Sequence, residues 1–128
     1  MGTYTLQIRG ILALALVALL AACGGAKPAV KGGAPAAFGI CASCHSVKKG
    51  ETLIGPSLFG VYGTRAGEAP GYDFSPDLKK SGLVFDDATL DKWLANPVGM
   101  VPGTRMSYAG QADPEKRRQL IAYLKTLH

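Results

Sequence analysis

Apolar residues are distributed along this chain in two different ways. From Ile11 to Ala22 they form an almost unbroken run, whereas later in the chain they recur at intervals within a more polar background. The run has about a dozen residues, fewer than the roughly 20 that an α-helix needs to cross a bilayer. With the short polar start that carries Arg9, it is typical of the apolar region of a secretory signal. We therefore predict that residues 1–22 are a signal peptide; the alternatives are an uncleaved anchor or a buried helix.

Cys23 directly follows this run, in the sequence LAAC. The sequence resembles the lipobox of bacterial lipoproteins, in which the cysteine is acylated and becomes the new N-terminus. Lipidation also explains why an exported protein has an odd cysteine, although cleavage after Ala22 that leaves a free thiol is the alternative. The Gly-, Ala- and Pro-rich residues that follow have no apolar period. We predict a lipidated N-terminus and flexible linker at 23–33, which would hold a domain at 34–128 close to a membrane.

Two segments early and midway in this domain are compatible with helices. Residues 32–44 would form a helix that carries Phe38 and a cysteine pair. Residues 86–97 show a clearer pattern, because Asp86 suits the N-cap position and Pro97 suits a stop. The apolar face of this second helix would consist of Leu90, Trp93 and Leu94.

The last segment, residues 113–128, has the strongest helical pattern. Asp113 suits the N-cap and Pro114 suits the first helical position. The apolar residues that recur at helical spacing are Leu120, Ile121, Leu124 and Leu127. Residues 48–71 are instead rich in turn-forming types. We predict an all-α domain with three main helices and long loops, built around a prosthetic group that supplies part of the core.

The sequence CASCH carries the candidate chemistry. Cys41 and Cys44 are three residues apart, on one side of a helical turn, and His45 follows directly. A structural zinc site would need two further ligands, and only Cys23 and His128 remain. A thioredoxin-type dithiol would need a βαβ setting, and no strand alternation surrounds this pair. The pattern favours thiols that add to the two vinyl groups of a haem, with the imidazole beneath the iron.

The second axial ligand of such a haem would come from a methionine. Met1 leaves with the signal peptide, so the candidates are Met100 and Met106 in NPVGMVPGTRMSYAG, which has no helical period. Methionine is more commonly a filler of cores. These patterns alone leave the choice between the two open.

Five separated blocks resemble class I c-type cytochromes, closest to the mitochondrial and bacterial c2-like group. They are CASCH, GPSLFGVYGTRAGEAPGY, GLVFDDATLDKWLANP, VPGTRM and LIAYLK, in the family's order and near its spacing. The resemblance implies a small cytochrome c fold around one covalently attached haem c. It makes Cys41 and Cys44 the thioether attachments. It makes His45 the proximal iron ligand and Met106 the distal one.

The resemblance also implies roles for residues around these ligands. The Pro56 carbonyl would accept from the second ring nitrogen of His45 and so orient the ring. Trp93 stands where the family commonly has a tyrosine near the methionine sulfur, and it would either donate its N–H there or simply pack. The family's usual partners of the buried propionate are replaced here, by Phe74, Phe85, Leu78 and Thr64.

A haem with His and Met ligands has no open position for a substrate, and methionine ligation raises its potential. The resemblance therefore implies a one-electron carrier and no enzymatic activity. It suggests a quinol-oxidising complex as donor, and a terminal oxidase or photosynthetic reaction centre as acceptor. The alternatives are a dedicated cytochrome subunit of a membrane oxidoreductase, or a haem peroxidase or sensor with a labile methionine. We expect a monomer on the periplasmic side of a bacterial membrane, anchored through Cys23.

The charge balance is basic, with 14 Lys and Arg against 9 Asp and Glu. Removing Arg9 with the signal leaves 13 − 9 = +4 before the haem carboxylates are counted. Basic residues ringing the haem edge could steer docking to an acidic partner; the candidates are Lys48, Lys49, Arg65, Lys92 and Arg105. An ordinary solvated surface is the alternative, because Ile40 occupies a place where the family often has a docking lysine. Nothing beyond the charge supports binding to nucleic acid.

Overall fold

The computed structural model describes residues 33–128. The predicted signal peptide, Cys23 and the linker up to residue 32 lie outside the described residues. The helical elements, in chain order, are a 3₁₀ turn at Ala36–Phe38, α1 at Gly39–Ala42, α2 at Pro76–Lys80, α3 at Asp87–Ala95, α4 at Pro97–Met100 and α5 at Pro114–Leu124. An isolated antiparallel bridge joins Arg65 and Val84. In this part of the chain, no helix is both long enough and apolar enough to cross a membrane.

Helix α3 begins where the sequence predicts. Asp86 is its N-cap, and the Asp86 carboxylate accepts a hydrogen bond from the Thr89 N–H at 2.8 Å. The cap satisfies one of the free N–H groups of the first turn. The helix buries Leu90, Trp93 and Leu94, so the predicted apolar face is confirmed.

Helix α5 also has the predicted start. The Asp113 carboxylate accepts from the N–H of Glu115 at 2.9 Å, and Pro114 occupies the first turn. Leu120, Ile121 and Leu124 are buried on one face. The predicted helix is too long at its C-terminal end, because α5 stops at Leu124, and Leu127 packs against the core from beyond that end.

An ion pair joins α5 to α3 beside their apolar contact. Arg117 Nε donates to Asp91 Oδ1 at 2.7 Å, and the Arg117 side chain is only 12% exposed. The Arg117 guanidinium also donates to the carbonyls of Gln111 and Ala112, at 2.9 and 2.8 Å. The charge is therefore multiply hydrogen-bonded, as a partly buried arginine requires.

The single helix predicted over residues 32–44 is wrong in its length. The chain enters from Pro35 in an extended conformation, makes one 3₁₀ turn, and continues as the four-residue α1. This short unit is held by packing. The Phe38 ring meets the Tyr123 ring of α5 edge-to-face, with centroids 4.7 Å apart. The first and last helical elements of the domain are thus joined within one core.

Helix α3 ends at Ala95, just before Pro97, as predicted, but a separate short helix, α4, follows directly. Asn96, with φ −160°, interrupts α3, and its side chain accepts from the Gly99 N–H at 2.8 Å to cap α4, in which Pro97 occupies the first turn. The sequence analysis also missed α2, which begins after the buried cap Ser75. Both helices are too short to show an apolar period, so caps and prolines define them.

Candidate haem-binding cleft

A cleft of about 270 Å³ opens between the N-terminal helical unit and the loop after α4. Its walls are mostly apolar and include core residues from α3 and α5. The cleft is lined by both cysteines of CASCH, by the histidine that follows them and by one methionine, namely Cys41, Cys44, His45 and Met106. An apolar cleft with two thiols, an imidazole and a thioether on its walls suits a flat apolar macrocycle with a central iron.

The two cysteines occupy a tight turn at the end of α1. The N–H groups of Cys44 and His45 both donate to the Cys41 carbonyl, at 3.1 and 2.9 Å. Neither cysteine forms a disulfide. Burial raises the pKa of the Cys41 thiol, and the neighbouring Cys44 raises it further. A nucleophilic redox dithiol needs the opposite shift, toward the thiolate, so this environment does not favour a thioredoxin-type role.

A zinc site is also not formed around this pair by the described residues. Among residues 33–128, no three or more His, Cys, Asp or Glu side chains are grouped so that they could hold a metal ion. His128 hydrogen-bonds the Lys125 carbonyl at 3.0 Å, at the exposed end of the chain. Of the two further zinc ligands considered, Cys23 lies outside the described residues. His128 lies within them and hydrogen-bonds the backbone instead.

The His45 ring is oriented by a backbone carbonyl. Its Nδ1–H donates to the Pro56 oxygen at 2.7 Å, which leaves the Nε2 lone pair available for a metal ion. The loop before Pro56 lies against the ring, because a Cβ at Gly55 would come within 2.5 Å of His45 Cε1. The Gly55 N–H in turn donates to the Cys44 carbonyl at 2.8 Å. Glycine is thus required for this loop to pack on the imidazole.

The structure separates the two candidate methionines. Met106 is half-buried and lines the cleft, whereas Met100, at the end of α4, packs against the core and is not part of the cleft wall. The Met106 N–H donates to Thr104 Oγ1 at 3.3 Å. The Thr104 N–H donates to the Val101 carbonyl at 2.9 Å, so two successive local bonds shape the loop that carries Met106.

The residues that replace the family's propionate partners all lie in the cleft wall. Phe74, Leu78 and Phe85 are buried there, and Thr64 lines the more exposed end together with Arg65. Trp93 is buried in the same wall and packs against Phe85, with ring centroids 5.8 Å apart. A group bound here would therefore face aromatic and aliphatic surface over most of its area.

The sequence analysis did not single out three further residues that line this cleft. Tyr108 is half-buried, and this burial raises the pKa of its phenol above the ordinary value. Tyr72 packs edge-to-face on Phe74, with centroids 4.8 Å apart, and Ser75 is 5% exposed. Of these three, only Tyr108 could have been placed in the cleft from the sequence, because it follows Met106 by two residues.

The proposed ring of basic residues does not form around the cleft. Of the five candidates, only Arg65 and Arg105 line it. Arg105 is paired with Asp73, at 3.0 Å. Lys48, Lys49 and Lys92 are exposed elsewhere. The cleft mouth therefore presents much less free positive charge than the sequence suggested.

Comparisons with known proteins identify this arrangement. Residues 30–128 match the family model for cytochrome c. Cytochrome c2 iso-2 of Magnetospirillum fulvum is 51% identical over 94 residues, which are 73% of this chain and 98% of that protein. Cytochrome c2 of Rhodopila globiformis is 49% identical over 88 residues, 69% of this chain and 83% of that protein.

A solved structure agrees with these sequence relatives. Cytochrome cH from Methylobacterium extorquens superposes with a TM-score of 0.67 at 52% identity, covering 70% of this chain and 91% of that one. The all-α cytochrome c fold is thereby confirmed. This chain belongs to the cytochrome c family, which binds a covalently attached haem c, and its cytochrome c2 relatives are electron-transfer proteins and not enzymes.

Proposed function

We propose that this chain is a membrane-tethered one-electron carrier whose haem c is attached through Cys41 and Cys44. In this proposal His45 and Met106 are the two axial ligands of the iron. One observation carries it: His45 and Met106 line the same cleft as both cysteines, while Met100 lies outside that cleft.

The His45 side of the cleft is arranged to hold one ring orientation. Because Nδ1–H donates to Pro56, only Nε2 is free to bind iron, and the fixed carbonyl raises the basicity of the ring. The Cys41–Cys44 turn keeps His45 next to both attachment points. Both attachment points and the histidine ligand would therefore come from five consecutive residues, Cys41 to His45.

On the other side of the cleft, the Met106 thioether would bind the haem iron as its second protein ligand. The haem supplies the redox chemistry, an iron that cycles between the ferrous and ferric states. The buried rings of Phe74, Phe85 and Trp93 exclude water from the cleft wall. Both methionine ligation and a low dielectric favour the less charged ferrous state, so we expect a high reduction potential. We assign Trp93 to this wall, near the methionine ligand.

Residues upstream of the domain supply the proposed location. The apolar run before Cys23 and the sequence LAAC support export and acylation at that cysteine. With residues 23–33 as a linker, the haem domain at 34–128 would stay within reach of complexes in the same membrane. On this basis we place it on the periplasmic side of a bacterial membrane. Its donor would be a quinol-oxidising complex, and its acceptor a terminal oxidase or a photosynthetic reaction centre.

The axial ligands can be tested with absorption spectra of the oxidised holoprotein. Methionine-ligated ferric haem has a far-red charge-transfer band. We expect this band in the wild type and in Met100→Leu, and we expect Met106→Leu to abolish it. Loss of the band in Met100→Leu alone would overturn the ligand assignment. Its absence from the wild type, with peroxide turnover that does not change in Met106→Leu, would favour a peroxidase over a carrier.

The tether is tested separately, by fractionation and intact-mass measurement. We expect the wild type to remain with membranes and to carry the mass of acyl chains on a chain that begins at Cys23. The Cys23→Ala variant should lack that mass. An unacylated chain that begins at residue 23 would contradict the anchor. Copurification with one stoichiometric membrane partner would instead identify a dedicated subunit.

A further inference from the structure

Three large apolar side chains are exposed beside the cysteine pair. Ile40 is 60% exposed, Leu53 is 51% exposed and Ile54 is 76% exposed. We call these three residues the apolar rim. Ile40 and Ile54 both line the cleft. Leu53 does not line it, so the exposure of this side chain does not depend on what fills the cleft.

The backbone holds the apolar rim next to the attachment site. The Leu53 N–H donates to the Gly55 carbonyl at 3.0 Å, and the Gly55 N–H donates to the Cys44 carbonyl at 2.8 Å. On the other side, Ile40 directly precedes Cys41, and its carbonyl accepts from Ser43 Oγ at 2.6 Å. The rim is therefore part of the same hydrogen-bonded unit as the cysteines.

The net charge of the described domain is small, although Arg65 lines the cleft together with Ile40 and Ile54. Residues 33–128 contain 11 basic and 9 acidic residues, 11 − 9 = +2, before the two haem carboxylates are counted. The remaining basic residues of the exported chain, Lys27 and Lys31, belong to the linker. Lys48, the basic residue that follows CASCH, lies 3.8 Å from Glu51. A domain so close to neutral provides little long-range electrostatic attraction.

We propose that the apolar rim is the docking surface for electron exchange, and that it takes a redox protein whose matching face is apolar and uncharged. The inference rests on the proposed electron-carrier function and specifies its partner. The rim adjoins the cysteine-bearing edge of the cleft, so a protein that covers the rim comes close to a haem attached at those cysteines. A redox partner is the occupant that has to contact this edge. Covering the apolar rim, in which the exposure of Leu53 does not depend on what fills the cleft, supplies the attraction that balanced charges do not.

Electrodes coated with defined monolayers test the chemistry of this surface. The holoprotein of residues 33–128 is suitable, because the cytochrome c family model matches residues 30–128 and 98% of the M. fulvum cytochrome c2 consists of residues that match this chain. It also lacks acyl chains that could themselves adsorb. Voltammetry would compare the electron-exchange rate on methyl-terminated and carboxylate-terminated monolayers. The test variant is Ile40→Lys/Ile54→Lys, and the control is Val84→Lys, an exposed valine that does not line the cleft.

We expect the wild type and Val84→Lys to exchange electrons on the methyl surface, with a rate that changes less than about twofold between low and high salt. The electron-exchange rate of the double variant on the methyl surface should fall about tenfold or more, because two apolar side chains that docking would bury have been replaced by lysine. On the carboxylate surface this variant should gain electron exchange that depends on salt. Wild-type exchange confined to the carboxylate surface would overturn the proposal. So would a wild-type dimer in sedimentation that the double variant abolishes, because the occupant would then be a second copy.

The potential in solution separates this inference from the proposed function. A mediated redox titration does not require docking. A reversible one-electron couple in solution, together with failure on the methyl surface, refutes the apolar docking surface alone. Absence of a reversible couple in solution refutes the electron-carrier function itself.

Discussion

Arg105 and Asp73 connect the loop that carries Met106 to the segment before α2. Arg105 Nη1 lies 3.0 Å from Asp73 Oδ2, across 32 positions of sequence. Lys79 Nζ donates to the other carboxylate oxygen, at 3.1 Å. These hydrogen bonds, Arg105 first, hold the pKa of Asp73 below its ordinary range. The residue immediately before the proposed methionine ligand is thus fixed by a contact that is distant in sequence.

Replacing Asp73 with Asn should loosen this loop without disturbing the histidine side. Because the pair is exposed, the midpoint temperature for loss of the far-red methionine band should fall by no more than about 5 °C. Absorption at the Soret band should remain as in the wild type up to that temperature. Glu68→Gln is the matched control, since Glu68 is also an exposed acid. An equal effect in both variants would indicate a general charge effect and contradict the specific link.

Gly110 should tolerate alanine much less well than Gly82. Both have positive φ, +97° and +66°, but a Cβ at Gly110 would overlap the Ala95 carbonyl oxygen, whereas nothing lies within 4 Å of one at Gly82. Gly82→Ala should cost only the left-handed backbone penalty, about 1–2 kcal/mol. Gly110→Ala adds a backbone overlap and should cost more. Denaturant unfolding measures the difference, and equal losses would show that the Gly110 turn can move away.

Leu120→Ala should be strongly destabilising, because Leu120 is 1% exposed at the junction of α5 with the cleft. Leaving a cavity there should reduce the free energy of unfolding by about 2–5 kcal/mol. Leu127 lies outside α5 and is only half-buried, so Leu127→Ala should reduce the free energy of unfolding clearly less. Chemical denaturation of the two holoproteins tests this. A loss at Leu127 as large as that at Leu120 would mean that the core extends beyond the end of the helix.

Asp86 should make stability depend on acidic pH. Its hydrogen bond from the Thr89 N–H holds the pKa of the carboxyl below its ordinary range. The folded state therefore prefers the charged form, so the contribution is complete above the ordinary carboxyl pKa of about 4. It is lost as the pH falls through the lower folded value.

The Asp86→Asn variant tests this prediction, since asparagine keeps the cap but does not titrate. The stability difference between wild type and variant should be constant from about pH 5 to 7 and should shrink below about pH 4. Thermal melting in a pH series measures it. A difference that grows as the pH falls would contradict the assigned sign.

The sequence predicts most reliably where a local signal and an apolar period coincide. Asp86 and Asp113 each combine a cap with a buried face downstream, and both helices begin as expected. The short α2 and α4 have caps but no period. Without an apolar period, only the N-cap residue and the proline in the first turn mark where each of them begins. The first predicted helix also lacks a clear apolar period, and the structure has only a 3₁₀ turn and the short α1 in its place.

The candidate site shows the same division. Cys41, Cys44 and His45 lie within five consecutive residues, so their position on one turn follows from their spacing alone. Choosing Met106 over Met100 required either the family resemblance or the course of the loop through space. The surface charges were the least predictable. Nothing in the sequence around Arg105 indicates that Asp73, 32 positions away, is its partner.

The contact between Phe38 and Tyr123 has a consequence for the order of events during synthesis. The two rings meet across 123 − 38 = 85 positions, so nearly the whole domain lies within the loop that this contact closes. Closing so long a loop costs entropy that only the completed α5 face can repay. The packing of the 3₁₀ turn on α5 therefore cannot form until α5 has been synthesised. Until then Cys41 and Cys44 remain on an open chain, accessible to the chemistry that attaches the haem.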